Sequence, residues 1–440
     1  MKVIGIADSD SYVKWGAAVL DRMPEHWDRS LAVIRTPAVP SERQLHSALA
    51  GTRFSDVSTP VIDLADLAEL IALERPDVVL LSVRGPVVRV LVRMIVAAPV
   101  ERPVLVSGLP GISIPETLNA LYYRSQADLF ILHSKREISA FGALAGRLGI
   151  RQEFALATLP FLPPRRPNAR PGTDILFAAQ AKVPKPLEDR RLVLAWLAET
   201  ARRHPERRIV IKLRGLTGEA QTHSERYPYD VLLAELEQPP ENLVVSTGAM
   251  SKHLREAGAL VTVSSTAALE AVAAGIPVLA LDEFGVSAAL INIVFEGSGL
   301  LAGAEALMAG DFRAPQEHWL DENYFHAPSE DTWVEAIQLA VDLRDAGRLP
   351  LRPQFRGRLG GALRRIWDRK IALGAYDRSP EGYLALAVGL PLRAGVRTFR
   401  RWQARLRRMV VGDRPMERVD APGTGPTAWS TRRRSRAPRR

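Results

Sequence analysis

Short apolar runs rich in β-branched residues recur along this chain, each followed by a polar or glycine-containing loop and then a longer amphipathic stretch. Strands are predicted over Lys2–Ala7, Ser30–Ile34, Pro76–Ser82, Pro103–Ser107 and Ala127–Ser134. Helices are expected over Leu64–Glu74 and from Ser134 to Leu148, and the polar stretch Pro37–Ser58 reads as a loop. The alternation is that of a parallel sheet covered on both faces by helices. Pro163–Gly172 is crowded with proline and charge and reads as a linker. A second alternating run follows: Asp174–Ala179, a helix from about Asp189 to His204, Arg208–Gly215, Asn242–Ser246 and Ala259–Val263. The predicted organisation is therefore α/β with two doubly wound, Rossmann-like domains, 1–162 and 173–330, joined by 163–172. Terminal helices in 331–380, including Glu330–Leu343, are expected to return to the body, and 381–440 forms a basic helical appendage.

The chemically richest stretch is Gly258–Asp282, GALVTVSSTAALEAVAAGIPVLALD. It predicts a strand, a tight loop at Ser264, Ser265 and Thr266, a helix over Ala267–Ala274 closed by Gly275, and a strand after Pro277. Three small hydroxyl residues at an open helix N-terminus can cradle a phosphate, and Glu270 one turn on can accept hydrogen bonds from a ribose. The alternative is that Ser265 or Thr266 caps a core helix and Glu270 is solvated. Lys212 and Arg214, beside Gly215 at the end of a predicted strand, can bring cations to the same crevice or form a solvated basic strand end.

Loops at the carboxyl ends of strands line the ligand crevice of an open α/β sheet. In the first domain this places Asp8, Ser9, Asp10, Ser11 and Lys14 at a candidate site in the crevice, with helix capping by Ser9 or Asp10 as the alternative. Gly108 and Gly111 allow backbone to approach a ligand or make a plain turn. His133 at a strand end is a candidate site residue or a core histidine. The D-x-D at Asp8 and Asp10 resembles the metal-binding pair of one glycosyltransferase fold, but that pair normally follows several strands and this one follows the first, so no metal is expected.

The net charge of +10 is unevenly placed. Residues 351–440 hold 23 Lys/Arg against 6 Asp/Glu, a surplus of 17, so residues 1–350 carry net −7. The basicity belongs to the tail, which argues against a nucleic-acid-binding fold. Arg393–Arg408 holds seven arginines among Val396, Phe399, Trp402 and Leu406, the composition of a segment that seats on an anionic membrane surface or packs as a soluble helix. The zero cysteines exclude disulfides and thiol chemistry. Neither a secretory leader nor a spanning helix is predicted, so a cytoplasmic protein, peripheral at the inner membrane face, is expected.

Two doubly wound domains with the strongest site loop in the second resemble the GT-B glycosyltransferase architecture. The segment V-T-V-S-S-T-A-A-L-E-A-V-A-A-G-I-P-V-L resembles the donor site of bacterial capsule and surface-polysaccharide transferases. These include polysialyltransferase-like and Kdo-transferase-like groups and, more distantly, nucleotide-sugar 2-epimerases. With A-D-S-D-S-Y-V-K-W and S-G-L-P-G-I, the nearest match is an uncharacterised bacterial glycosyltransferase family, over roughly residues 1–340. The resemblance implies that Ser264, Ser265 and Thr266 hold a donor phosphate and that Glu270 contacts the ribose. Lys212-Leu-Arg-Gly215 stands where CMP-sugar users carry Lys-x-His-Pro, with Arg214 for histidine and Gly215 for proline. The implied activity is metal-independent, inverting transfer from a nucleotide sugar to a surface-polysaccharide or lipid-linked glycan, with no cofactor. Asp10, then Asp8, is the expected base. A nucleotide-sugar epimerase and a non-catalytic polysaccharide-assembly protein are the alternatives.

Overall fold

The computed structural model describes residues 1–98, 101–162, 165, 172–181, 183–213, 215, 225–352, 361–392 and 398. Arg214, most of the 163–172 linker and most of the arginine-rich tail lie outside them. The chain divides into a body, Met1–Ala385, and a unit Leu386–Arg440 whose residues 386–392 are helical. Among the described residues no helix is long and apolar enough to cross a membrane.

The body holds two wholly parallel sheets. The first comprises β1 (Lys2–Ala7), β2 (Asp28–Ile34), β3 (Val61–Ile62), β4 (Val78–Ser82), β5 (Val104–Gly108), β6 (Leu129–Leu132) and β7 (Glu153–Leu156), in the order β3-β2-β1-β4-β5-β6-β7. Ile4 is opposite both Ser30 and Val79, so β1 is flanked on each side. The second comprises β8 (Asp174–Ala178), β9 (Ile209–Lys212), β10 (Leu243–Ser246), β11 (Ala257–Thr262), β12 (Val278–Leu281) and β13 (Leu301–Ala302), in the order β10-β9-β8-β11-β12-β13. Each order reverses direction once, between β1 and β4 and between β8 and β11. Crevices open at the carboxyl ends of the strands at such switch points.

The central strands are buried on both faces, which is why they read as continuous Val, Ile and Leu rather than as alternating residues. One expectation is overturned. Pro37–Ser58 is not all loop: Glu42–Leu49 is a helix, started by a reciprocal cap in which Gln44 N–H donates to Ser41 Oγ and Ser41 N–H donates to Gln44 Oε1 at 3.0 Å. The S-x-x-Q spacing carries that cap, and Leu45, Ala48 and Leu49 recur at helical spacing, but the helix is only two turns long in an otherwise polar stretch, so it reads as loop.

The two lobes are fused through shared packing. Ile114, Leu159 and Leu162 of the first lobe belong to the same core cluster as Leu260, Trp319 and Tyr324. Buried Glu137 ties them further: its Oε1 accepts from Tyr324 Oη at 2.5 Å and from Ser113 N–H at 2.8 Å, and its Oε2 accepts from His133 N–H at 2.8 Å. Helix Trp333–Asp345 then returns to the first lobe, packing on β5, β6 and β7 and burying Trp333, Ile337 and Val341 at i, i+4 and i+8.

Candidate functional site

A cleft of about 600 Å³ opens between the carboxyl edges of the two sheets. The helix Asp10–Asp21 after β1 contributes Asp10, Ser11 and Lys14, and helix Glu42–Leu49 contributes Arg43, Gln44 and Ser47. The second lobe contributes Lys212 at the end of β9 and Gly215 beyond it, Thr247–Met250 after β10, and Ser265, Thr266 and Glu270 after β11.

The donor-side loop is held from behind. Ser264 does not line the cleft; its N–H and Oγ donate to Gln180 Oε1 at 3.0 and 3.1 Å, which joins the loops after β8 and β11 across the switch point. Gln180 is fixed in turn by Arg190, a fully buried guanidinium that donates to its carbonyl at 2.5 Å and to those of Pro184 at 2.9 Å and Tyr227 at 3.0 Å. Ser265 N–H donates to Thr262 Oγ1 at 3.0 Å and Ser265 Oγ accepts from Ala267 N–H at 3.2 Å, so Ser265 both caps the helix and faces the cleft. Thr266, the N-cap residue, makes no side-chain cap bond. Buried Lys212 donates to the Leu213 carbonyl. Burial pushes the Glu270 carboxyl up, and the ammonium of Lys14, reaching over from the first lobe, partly offsets that. Lys14 itself lies 4.5 Å from the Phe161 ring centroid.

The first-lobe candidates separate. Asp8 is fully buried and turned away from the cleft: it accepts from Arg84 N–H at 3.0 Å and Arg84 Nε at 2.7 Å, bridging the first switch point. Its carboxyl is nonetheless raised, because desolvation outweighs the pull of Arg84. Ser9 is buried at the N-cap of the Asp10–Asp21 helix. Asp10 and Ser11, one and two residues on, reach the cleft.

Gly108 and His133 serve the core rather than the cleft. A Cβ on Gly108 would sit 2.2 Å from Trp15 Cζ2, so the indole packs directly on that backbone. Trp15 Nε1 donates to His133 Nε2 at 2.7 Å, and His133 Nδ1 donates to the Ala157 carbonyl at 2.9 Å. Together these seat the helix that carries Asp10 and Lys14. Gly111, in the second glycine position, approaches the donor loop: a Cβ there would be 3.2 Å from Thr266 Cγ2.

Burial lowers His133 to about 4, because the water a charged imidazolium would lose outweighs what the backbone hydrogen bonds and the charge of Asp331 return. The unfolded chain takes up this proton below about 6.5, whereas the native protein resists it until about 4. His133 therefore withdraws on the order of 3 kcal/mol of stability as pH falls through that window. Urea unfolding at pH 7 and pH 4.5 checks this, and His133→Gln should show a shallower pH dependence.

Reading the sequence missed Arg43, Gln44 and Ser47 on the Glu42–Leu49 helix and Thr247–Met250 after β10. The Ser41–Gln44 cap was the available signal for the helix, but nothing local indicates that it lies beside the Asp10–Asp21 helix.

With this geometry in view, the family can be stated. The chain belongs to the family described as "Putative glycosyltransferase (DUF6716)", matched over residues 3–340. No curated protein matches it. Among solved structures, a "putative UDP-N-acetylglucosamine 2-epimerase" from Listeria monocytogenes is similar at TM-score 0.50 and 16% identity, covering 80% of this chain and 98% of its own. The S. aureus MnaA–UDP co-structure is similar at TM-score 0.49 and 12% identity, covering 79% and 97%. A UGT transferase from Siraitia grosvenorii in complex with UDP is similar at TM-score 0.43 and 11% identity, covering 81% and 96%. The two sheets and the Listeria likeness make the fold GT-B, and the family supports a glycosyltransferase- or epimerase-like activity.

Proposed function

We propose that the protein moves a sugar from a nucleotide-sugar donor, seated on the second lobe, to a hydroxyl of an acceptor seated on the first. The observation that carries this is one cleft in which Asp10 faces Lys212, Ser265, Thr266 and Glu270 from the opposite lobe. Asp10 takes the acceptor proton as the acceptor oxygen bonds to the anomeric carbon from the face opposite the leaving group, so configuration inverts. The bond from that carbon to the donor phosphate oxygen breaks. The charge on the departing nucleotide is met by the Lys212 ammonium and the Ser265 and Thr266 hydroxyls, with no metal ion assigned a part. Glu270 accepts from the ribose hydroxyls.

The test is a thermal-shift screen against CMP, UDP, GDP, dTDP and their common sugars, since a ligand that binds only the native state raises its melting point. One nucleotide should shift the wild-type protein and leave Ser265→Trp, whose indole fills the cleft wall, unmoved. Absence of any shift across the panel would reject the donor site. Incubating the selected nucleotide sugar alone separates transfer, which needs an acceptor, from epimerisation, which does not.

A further inference from the structure

Arg43 and Ser47 lie one turn apart on the Glu42–Leu49 helix, both on the cleft wall. Arg43 is exposed and, among the described residues, no carboxylate pairs with it. Lys14, the other first-lobe cation at the cleft, rests on the Phe161 ring and lends its charge to Glu270 across the cleft. Gln44 between them is engaged in the cap to Ser41. Three other arginines of this lobe are committed: Arg84 to Asp8, Arg124 to the Gly108 carbonyl and Tyr12, and Arg29 to backbone carbonyls around Met23.

The described cleft lining thus holds three cations, Lys14, Arg43 and Lys212, against two carboxylates, Asp10 and Glu270, and because Lys14 already serves Glu270, the surplus charge falls to Arg43. The second lobe has its own cation, Lys212, beside the hydroxyls assigned to the donor phosphate. A concave wall flanked by protein focuses the surplus positive field on whatever occupies the acceptor half. A neutral acceptor would leave that surplus unused.

We propose that Arg43, Ser47 and Lys14 form a subsite for an anionic group on the acceptor, a carboxylate or a phosphate, so that the acceptor is an acidic or phosphorylated sugar. This rests on the transferase reading above. Arg43 offers a two-pronged guanidinium and Ser47 a hydroxyl donor to the same oxygens, while Lys14 supplies charge at longer range.

The test uses the full-length protein saturated with the nucleotide that the thermal-shift screen selects. It is titrated calorimetrically with glucose, glucuronate and glucose 6-phosphate. At least one anionic sugar should bind roughly threefold or more tightly than glucose, with the advantage shrinking at high salt. Which of the two is preferred tells carboxylate from phosphate. Arg43→Gln should erase the preference, Arg43→Lys should keep part of it, and neither should alter nucleotide affinity. Equal binding of all three sugars, or binding of none, overturns the subsite. Weaker nucleotide binding in Arg43→Gln also overturns it, because Arg43 would then serve the donor. If no nucleotide binds before any sugar is added, the transferase reading itself fails.

Discussion

Asp10→Asn is expected to turn over roughly 100- to 10,000-fold more slowly than the wild-type protein while keeping its nucleotide-induced thermal shift, because the amide keeps the shape of the carboxylate but cannot accept the acceptor proton. Asp10 opens the helix after β1 and lines the cleft, whereas Asp8 two residues earlier is buried against Arg84. Asp8→Asn should therefore act mainly on stability: the Arg84 guanidinium loses its anionic partner, and residual activity should follow the folded fraction. Single-turnover rates and melting curves of both variants separate the two roles. A fully active Asp10→Asn protein would remove Asp10 from the chemistry, and an Asp8→Asn protein that is stable yet dead would transfer the role to Asp8.

Lys212→Met should weaken nucleotide affinity about 10- to 100-fold, the cost of removing a charge-assisted contact to phosphate from a half-enclosed site. Methionine keeps most of the buried stem of a residue that is only 5% exposed, so packing is largely preserved and the lost charge dominates the readout. Because the lysine is assigned to the leaving phosphate, the turnover rate should fall as well, beyond what saturating donor restores. Nucleotide affinity unchanged in Lys212→Met would place the phosphate elsewhere in the cleft.

The doubly wound architecture was readable because strands buried on both faces are forced into uninterrupted apolar runs, and because proline, glycine and hydroxyl residues punctuate the ends of elements. The V-T-V-S-S-T loop was readable for the same reason: β11, its loop and the following helix are local in sequence. Three things were not. Asp8 and Asp10 look alike in a string of letters, and only the change from strand to helix at Ser9 turns one inward to Arg84 and the other to the cleft. Ser264 cannot be told from Ser265 until Gln180, 84 residues away, is seen to hold it. Arg43 sits on a two-turn helix in an otherwise polar stretch, and its place at the cleft follows from packing between helices, which no local pattern encodes.

The return of helix Trp333–Asp345 bears on how the protein is made. Its Trp333, Ile337 and Val341 complete the core under β5 to β7, although the strands of that sheet end at Leu156. During synthesis the first lobe emerges whole yet lacks the piece that covers one of its faces until the entire second lobe has left the ribosome. The lobe translated first is thus the lobe finished last, and its uncovered sheet face must be kept from other nascent chains throughout that interval.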